Sequence, residues 1–292
     1  MSEPLRQRAS DDGGMKRDLE FPPVPEPLRV GVYDNHTHLE IADGENPLPV
    51  EENLRRASEV GLLGVVQVGT DLETSRWSAD LADRDPRVLA AVAIHPNEAP
   101  RLAERGLLQD HLAGIAELAA RPRVRAVGET GLDFFRTGAD GHAAQFESFE
   151  AHIEIAKANN IAMQIHDRDA HDDVVSTLNR VGAPAATVFH CFSGDVELAK
   201  LCAQNGWYLS FSGTVTFKNS QGLRDALAIA PRELILVETD APFLTPIPYR
   251  GRPNGSYLVP LTMRFMAETL QTDLDELCGQ VARNTEAVYG QW

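Results

Sequence analysis

Histidine and carboxylate residues occur one after another where short apolar runs of this chain end. The six residues are His36, His38, Glu129, His166, His190 and Asp240. Imidazole nitrogens and carboxylate oxygens are common ligands of divalent metal ions. Four imidazoles and two carboxylates are the side chains with which a hydrolase can bind two ions and activate a water molecule. The set therefore predicts a two-metal hydrolase, provided that the fold brings the six side chains together.

The first two histidines are separated by one residue. Alternate residues of an extended chain point to the same side, so the imidazoles of His36 and His38 can bind one ion. On its own a His-x-His pair is a weak signal, and two ordinary loop histidines are the alternative. The position of the pair beside the apolar run at residues 30–34 favours metal binding.

The two carboxylates also close apolar runs. A carboxylate in such a place loses hydration unless a cation or a hydrogen-bond donor meets it. Glu129 has two oxygens and can bridge two ions, with a salt bridge to Arg125 or Arg136 as the alternative. Asp240 can accept a proton from water as a general base, or it can cap the segment that follows.

The two remaining histidines, His166 and His190, each end an apolar run. A single histidine at the end of a strand is more often a hydrogen-bonded core residue than a metal ligand. Two such histidines on consecutive runs, after Glu129 on the run before them, favour metal binding.

Strand-like and helix-like segments alternate from residue 30 onward. The predicted strands are 30–34, 62–68, 88–94, 124–128, 161–165, 186–190, 207–211 and 234–239. The predicted helices are about 50–60, 71–84, 98–120, 142–159, 169–181, 195–205, 221–230, 258–270 and 273–288. Most of the strand segments are short and nearly continuously apolar, which is typical of parallel strands covered on both faces.

This alternation predicts an α/β fold, a TIM (β/α)8 barrel that forms a single domain over residues 30–292. An open Rossmann-like sheet is the alternative. The candidate ligands come from the first, fourth, fifth, sixth and eighth predicted strands. Only a closed ring of strands directs all five carboxyl ends toward one point, so the barrel is favoured.

The composition is that of a soluble globular protein, with 43% hydrophobic and 24% charged residues. Residues 1–29 are polar and then proline-rich, which predicts a flexible N-terminal tail. The sequence shows neither an apolar stretch of about 18 residues, as a membrane span requires, nor the apolar core of a signal peptide. Three scattered cysteines argue against a disulfide framework. We therefore expect a cytoplasmic protein without a membrane partner.

The formal net charge of −16 bears on nucleic-acid binding. A protein that binds nucleic acid non-specifically usually carries the opposite sign, because neutralising phosphates supplies its affinity. We therefore expect no stable nucleic-acid complex. An anionic substrate would need a local source of positive charge, and a pair of divalent ions in a cleft would be one.

Five motifs carry a family resemblance. They are residues 36–38 (His-Thr-His), 128–133 (Gly-Glu-Thr-Gly-Leu-Asp), 165–168 (Ile-His-Asp-Arg), 190–194 (His-Cys-Phe-Ser-Gly) and 238–242 (Glu-Thr-Asp-Ala-Pro). Together they resemble the TatD family of metal-dependent deoxyribonucleases, which belongs to the amidohydrolase-like metal barrels. The similarity extends from about residue 30 to the C-terminus.

The resemblance implies a TIM barrel, a pair of divalent metal ions and hydrolysis of phosphodiester bonds. It implies one ion held by His36, His38, Glu129 and Asp240, and a second held by Glu129, His166 and His190, with Glu129 bridging. The family implies magnesium or manganese, while four imidazoles are also compatible with zinc or iron. In the expected mechanism the ions activate a shared water and Asp240 assists its deprotonation before in-line attack on phosphorus.

Three further residues are predicted to contact the substrate. His95 matches a family motif, as a substrate contact or a neighbour of the ligands, with a packed structural histidine as the alternative. Arg168 lies after the fifth strand, where it can contact a phosphate or remain a solvated loop charge. Asn254 fits the last loop of the family, whereas Gly255 and Ser256 replace its usual Glu-Pro. This departure leaves the substrate preference open.

We predict a metal-dependent deoxyribonuclease that acts on DNA or oligonucleotides. The alternative is an amidohydrolase-type enzyme that hydrolyses a small ester, lactone, amide or phosphate ester. A non-catalytic barrel that serves as a scaffold is a third possibility. It is disfavoured because six convergent polar side chains without a metal would be costly. The sequence leaves the oligomeric state open, and a monomer is compatible with it.

Overall fold

The computed structural model describes residues 4–8 and 17–292. The strands in this part of the chain are β1 (Arg6–Gln7), β2 (Val32–Thr37), β3 (Ile41–Ala42), β4 (Leu62–Val68), β5 (Val88–Val92), β6 (Val124–Asp133), β7 (Ala162–Arg168), β8 (Thr187–Phe189), β9 (Tyr208–Phe211) and β10 (Ile235–Val237). The α-helices are α1 (Val50–Glu59), α2 (Leu72–Arg84), α3 (Ala99–Glu104), α4 (Leu108–Ala119), α5 (His142–Asn159), α6 (His171–Val181), α7 (Val196–Asn205), α8 (Gln221–Ile229), α9 (Val259–Thr269) and α10 (Leu274–Tyr289). None of these helices combines the length and the apolar character that a bilayer-spanning segment needs.

Eight of the strands form one parallel sheet in the order β10, β9, β8, β7, β6, β5, β4, β2. Its two edges meet, because Thr37 forms a parallel bridge with Ala241. The amide of Asp240 donates to the carbonyl of His36 at 3.0 Å, and the amide of His38 donates to that of Ala241 at 2.8 Å. The sheet thus closes at the carboxyl ends of β2 and β10, and the predicted TIM barrel is confirmed.

A network of polar side chains lies inside the barrel below its mouth. The hydroxyl of Tyr289, at the end of α10, donates to Asn35 Oδ1 at 3.0 Å and accepts from Gln164 Nε2 at 2.8 Å. Asn35 Nδ2 in turn donates to Ser210 Oγ at 2.7 Å. These side chains come from β2, β7 and β9, so they can meet only inside the barrel. Because buried polar groups need partners, this network fixes one packing arrangement below the mouth.

The predicted strands are all present, but three of them extend beyond their predicted carboxyl ends. β2 extends to Thr37, β6 to Asp133 and β7 to Arg168, so His36, Glu129 and His166 lie inside strands and not after them. The predicted helix 98–120 is wrong as a single element. The structure has two helices in this range, α3 and α4. They are separated at Gly106, whose positive φ of 68° interrupts the helix.

The described residues of the predicted N-terminal tail contact the barrel. β1 pairs in parallel with β3. Phe21 packs against the core, Leu28 is buried, and the carbonyl of Pro22 accepts a hydrogen bond of 2.8 Å from the hydroxyl of Tyr257. Residues 1–3 and 9–16 lie outside the described residues. The division into a flexible tail over 1–29 and a domain over 30–292 stays a prediction.

Candidate metal centre

The six predicted ligands meet at the carboxyl-terminal mouth of the barrel. They are His36 in β2, His38 directly after it, Glu129 in β6, His166 in β7, His190 directly after β8, and Asp240 after β10. All strands of the barrel run in the same direction, so their carboxyl ends lie on one face, where active sites of this fold are built.

The first cluster consists of His36, His38, Asp240 and one oxygen of Glu129. The Nε2 atoms of the two histidines are 3.3 Å apart. Each lies 3.8 Å from Glu129 Oε2, and they lie 3.8 and 3.5 Å from Asp240 Oδ1. Ligands at about 2.1 Å from a tetrahedral ion are separated by about 3.4 Å. Each carboxylate oxygen is therefore spaced from the two imidazole nitrogens as ligands of one ion would be.

The second cluster surrounds the other oxygen of Glu129. Oε1 lies 2.5 Å from His166 Nδ1, 2.9 Å from His190 Nε2 and 3.4 Å from His95 Nε2. Glu129 therefore presents one oxygen to each cluster, and both oxygens lie among imidazole nitrogens. His95 takes a ligand-like place that the sequence did not predict for it.

The donor set fits divalent ions. In each cluster three donor atoms lie within 4.8 Å of one another: His36, His38 and Glu129 in the first, and His95, Glu129 and His166 in the second. The ring atom His36 Nδ1 is buried without a hydrogen-bond partner. Such a concentration of buried imidazoles around one carboxylate is costly unless a cation binds there. The assignment of the six residues as ligands remains a prediction that this geometry supports.

Comparison with known proteins identifies the family. The family model described as TatD related DNase matches residues 33–290. This chain belongs to the TatD family. It is 41% identical over 263 residues to the metal-dependent hydrolase TatD of Mycobacterium tuberculosis, a match that covers 89% of this chain and 98% of that protein. It is 34% identical over 259 residues to the metal-dependent hydrolase YabD of Bacillus subtilis, covering 88% and 98%.

The solved structures agree with this placement. The crystal structure of YJJV, a TatD homologue from Escherichia coli, superposes with a TM-score of 0.77 at 26% identity, covering 88% of this chain and 97% of that one. A TatD family hydrolase from Entamoeba histolytica gives a TM-score of 0.78 at 17% identity, covering 92% and 100%, which shows the shared fold. The predicted family is confirmed, and the related proteins are named as metal-dependent hydrolases.

In this TatD protein a further carboxylate orients His190. Glu238 Oε1 lies 3.1 Å from His190 Nδ1 and accepts from the amide of Cys191 at 2.9 Å. Its Oε2 accepts from Ser210 Oγ at 2.5 Å. Because Glu238 takes the Nδ1 side of the ring, Nε2 of His190 is directed at Glu129. Glu238 could also join His36 and His190 around a cation, but its oxygens are already engaged by other donors.

Two more carboxylates missed by the sequence prediction act in the same way. Asp34 accepts from the amide of Thr239 at 2.8 Å and from its hydroxyl at 2.5 Å, which fixes the chain next to Asp240. Asp133 Oδ2 lies 3.1 Å from His166 Nε2, on the side of the ring away from Glu129. Partners of this kind set the orientation of metal ligands.

The first cluster contains one neutral and one charged imidazole. Burial lowers the pKa of His36 well below its usual value, and the nearby His190 and His38 lower it further. Burial also lowers the pKa of His38, but hydrogen bonds to Asp240 and Glu40 outweigh this effect and raise it to about 10. His36 can therefore bind an ion without losing a proton, whereas His38 has a proton to release.

The second cluster holds an ionised carboxylate between protonated rings. Burial would raise the pKa of Glu129, but His190 and His95 hold it well below the usual range. Burial would lower the pKa of His166, but hydrogen bonds to Asp133 and Glu129 raise it to about 9. Burial lowers the pKa of His95, whereas the pKa values of His166 and His190 are raised. The positive charge that stabilises ionised Glu129 thus comes mainly from the ring protons of His166 and His190, which a bound cation would replace.

The clusters open into a cavity of about 1140 Å³. His95, Glu129, His166, His190 and Asp240 all line it. Arg168 lines it as well, and its guanidinium lies 4.0 Å from the centre of the Phe135 ring, which is 61% exposed. The predicted phosphate contact of Arg168 therefore stays a reasonable prediction.

The side chain of Asn254 bonds to the backbone of the segment after β10. Its side chain is buried, and Nδ2 donates to the carbonyl of Thr239 at 3.1 Å and to that of Phe243 at 2.5 Å. Its Oδ1 accepts from the amide of Gly255 at 2.9 Å. These bonds hold the loop after β10 to the barrel and leave the amide engaged with backbone. The geometry shows Asn254 positioning this loop, and its contact with substrate stays a prediction.

Proposed function

We propose that this protein is a divalent-metal-dependent deoxyribonuclease that hydrolyses phosphodiester bonds of DNA. The observation that carries the proposal is the place of Glu129, with Oε2 in the first cluster and Oε1 in the second. A carboxylate shared in this way is what a two-metal hydrolase requires. The family model that matches the chain is described as a DNase, in agreement with this reaction.

The residues divide between two ions. His36, His38, Glu129 and Asp240 would hold the first, and Glu129, His166 and His190 the second, with His95 beside it. A bound pair of divalent ions supplies Lewis-acid stabilisation of phosphoryl charge and lowers the pKa of a bound water. Magnesium or manganese are the proposed ions, and the imidazoles also suit zinc.

Asp240 is the proposed general base. Its side chain is 14% exposed in the cavity wall, in contrast to His36, which is fully buried. The carboxylate can therefore reach a water that attacks a bound phosphodiester and accept its proton at an Oδ atom. Asp34 supports this role indirectly. It accepts hydrogen bonds from Thr239, which fix the backbone next to Asp240.

The cavity lining favours an anionic substrate. Five arginines are among its lining residues: Arg6, Arg8, Arg101, Arg136 and Arg168. They offset most of the charge of the seven carboxylates in the same wall, and a bound pair of divalent ions would make the wall net positive on a protein whose net charge is −16. A DNA strand or oligonucleotide carries the phosphates that guanidinium groups bind well. Of the alternative substrates, a small ester, lactone or amide would make no use of these charges, whereas a small phosphate ester would.

The cysteines agree with a reducing compartment. Cys191, Cys202 and Cys278 are free thiols in the structure, and the last two are buried. Free thiols of this kind persist where disulfides are kept reduced. We therefore propose the cytoplasm as the site of action.

Digestion of a defined oligonucleotide tests the function. Wild type is expected to cleave a labelled single strand in magnesium or manganese and to lose this activity in chelator. Asp240→Asn should lower kcat about 10²- to 10⁴-fold, because it removes the proton acceptor. The matched control is Asp225→Asn on the exposed face of α8, which should cleave as wild type does. Equal rates for wild type and Asp240→Asn would remove the proposal. No cleavage with magnesium, manganese or zinc would remove it as well.

A further inference from the structure

A short segment near the N-terminus crosses the rim of the metal cavity. The amide of Leu5 donates to the carbonyl of Glu40 at 2.8 Å, and the amide of Arg8 donates to that of Ala42 at 2.8 Å. These bonds extend the parallel pairing of β1 with β3. The segment is therefore anchored by its backbone directly after the His36–His38 motif.

This anchoring places Arg6 on the rim. Its Nη2 donates to Glu40 Oε1 at 3.0 Å and to Thr70 Oγ1 at 2.9 Å. The carboxylate of Glu40 is buried, while the side chain of Arg6 is 40% exposed. A guanidinium carries five N–H donors, so the two bonds made by Nη2 leave donors for a ligand in the cavity.

Arg8 is held on the same rim by different contacts. Its Nη1 donates to Asp43 Oδ2 at 3.1 Å and to the carbonyl of Pro242 at 3.0 Å. Its guanidinium lies 4.8 Å from the centre of the Phe243 ring, and that ring packs against the edge of His38. Arg8 thus contacts Phe243, which in turn contacts the candidate metal ligand His38.

The arginines of this rim are paired with buried carboxylates. Arg6 contacts Glu40, and Arg8 contacts Asp43, which Arg17 also contacts at 2.7 Å. Both carboxylates are almost fully buried beneath the arginines. Arg6 and Arg8 line the cavity together with Asp240. An anion that enters the cavity therefore meets the guanidinium groups and not the carboxylates that orient them.

The segment lies outside the part of the chain that the family shares. The family model begins at residue 33. We propose that Arg6 and Arg8 form a phosphate-binding subsite, which holds the backbone of a nucleic-acid strand beside the phosphodiester to be cleaved. This inference rests on the proposed deoxyribonuclease function. It adds to the metal centre a substrate contact that this chain supplies from its own N-terminal segment.

The test measures binding of a fluorescein-labelled single-stranded 12-mer by anisotropy at several salt concentrations. It uses full-length protein with manganese and the Asp240→Asn substitution, so that the strand stays intact. Adding Arg6→Gln and Arg8→Gln should weaken binding about tenfold. The slope of log affinity against log salt should become shallower by about 1.4, since each phosphate contact to a single strand contributes about 0.7.

Two further variants separate charge from structure. Arg6→Lys with Arg8→Lys keeps both positive charges and should restore most of the salt slope, which a merely structural role of the arginines would not predict. Arg29→Gln with Arg264→Gln removes two charges outside the cavity lining and should bind as the parent does. Unchanged affinity and slope in the Gln variant would overturn the subsite, and so would failure of the parent protein itself to bind the strand.

Cleavage assays distinguish failure of the subsite from failure of the proposed function. With Asp240 restored, the arginine-to-glutamine variant should raise KM for the 12-mer about five times more than KM for bis(p-nitrophenyl) phosphate, which carries a single phosphate. An equal rise for both substrates would contradict a subsite for a neighbouring phosphate. Arginine-dependent binding without cleavage by wild type would remove the deoxyribonuclease proposal and leave the subsite.

Discussion

The two clusters that share Glu129 differ in how they meet the cavity. In the first cluster the side chains of His36 and His38 are 0% and 4% exposed. In the second, those of His95 and His166 are 16% and 17% exposed, while that of His190 is 4% exposed. Asp240 is the exposed member of the first cluster, at 14%. The first lies where the barrel closes, between β2 and the segment after β10, and the second lies over β6 and β7.

The contacts that orient the ligands also differ between the two clusters. His38 Nδ1 lies 3.0 Å from the carbonyl of Val68, and the amide of Asp240 bonds to the carbonyl of His36, so closure of the barrel fixes the first cluster. In the second cluster the ring of His166 is oriented by the carboxylate of Asp133 in the cavity wall. We therefore expect the first site to retain its ion, and the second to exchange its ion more readily and to meet the substrate.

The largest effect is expected from Glu129→Gln, because the two clusters share the carboxylate of Glu129. An amide replaces the carboxylate and removes the negative charge between the imidazoles. Both ions should be lost, and kcat/KM should fall on the order of 1000-fold or more. Metal content after gel filtration measures the first effect. Glu147→Gln on the exposed face of α5 is the control. Full metal content in Glu129→Gln would show that the clusters are independent.

The fold followed from the sequence because parallel strands covered on both faces leave nearly continuous apolar runs. Two of the three strands that were predicted too short show where this signal ends. In β2 the run is interrupted at Asp34, although the residues up to Thr37 are buried in the sheet. In β6 the polar residue Glu129 lies in mid-strand. Hydrophobicity cannot identify strand residues that are polar because the site requires them.

The candidate site was predictable in its ligands but not in the residues that orient them. Glu238 and Asp34 each lie two residues before a predicted ligand, Asp240 and His36, and this spacing was a usable signal. No comparable signal existed for Asp133, because its contact with His166 depends on how β6 pairs with β7. The placement of His95 beside Glu129 likewise follows only from the closed ring of strands.

The next prediction separates the clusters. His166→Ala should lower metal content from two equivalents to about one, because His36, His38 and Asp240 keep the first site. Its activity should fall at least about 100-fold, the upper end of what loss of an orienting partner alone costs. His111→Ala, on α4, should keep both ions and full activity. Loss of both equivalents in His166→Ala would show that the second cluster supports the first, against the comparison drawn from exposure.

The smallest effect is expected from Asp133→Asn. With the amide oxygen in the place of Oδ2, the substituted side chain can still accept from His166 Nε2 and from Asn97, whose bonds to Asp133 are 3.1 and 3.0 Å. The NH2 group in the place of Oδ1 no longer accepts from the amide of Arg136, a bond of 2.8 Å in the wild type. The negative charge that makes His166 a more basic ligand is lost, however. Affinity for the second ion should fall about 10- to 100-fold while the first is unaffected. Titration with manganese, followed by calorimetry, should show one weakened and one unchanged step. The control is Asp140→Asn, at an exposed residue of the same cavity wall, which should leave both steps unchanged. If Asp133→Asn weakened both steps, the two sites would not differ as their exposure suggests.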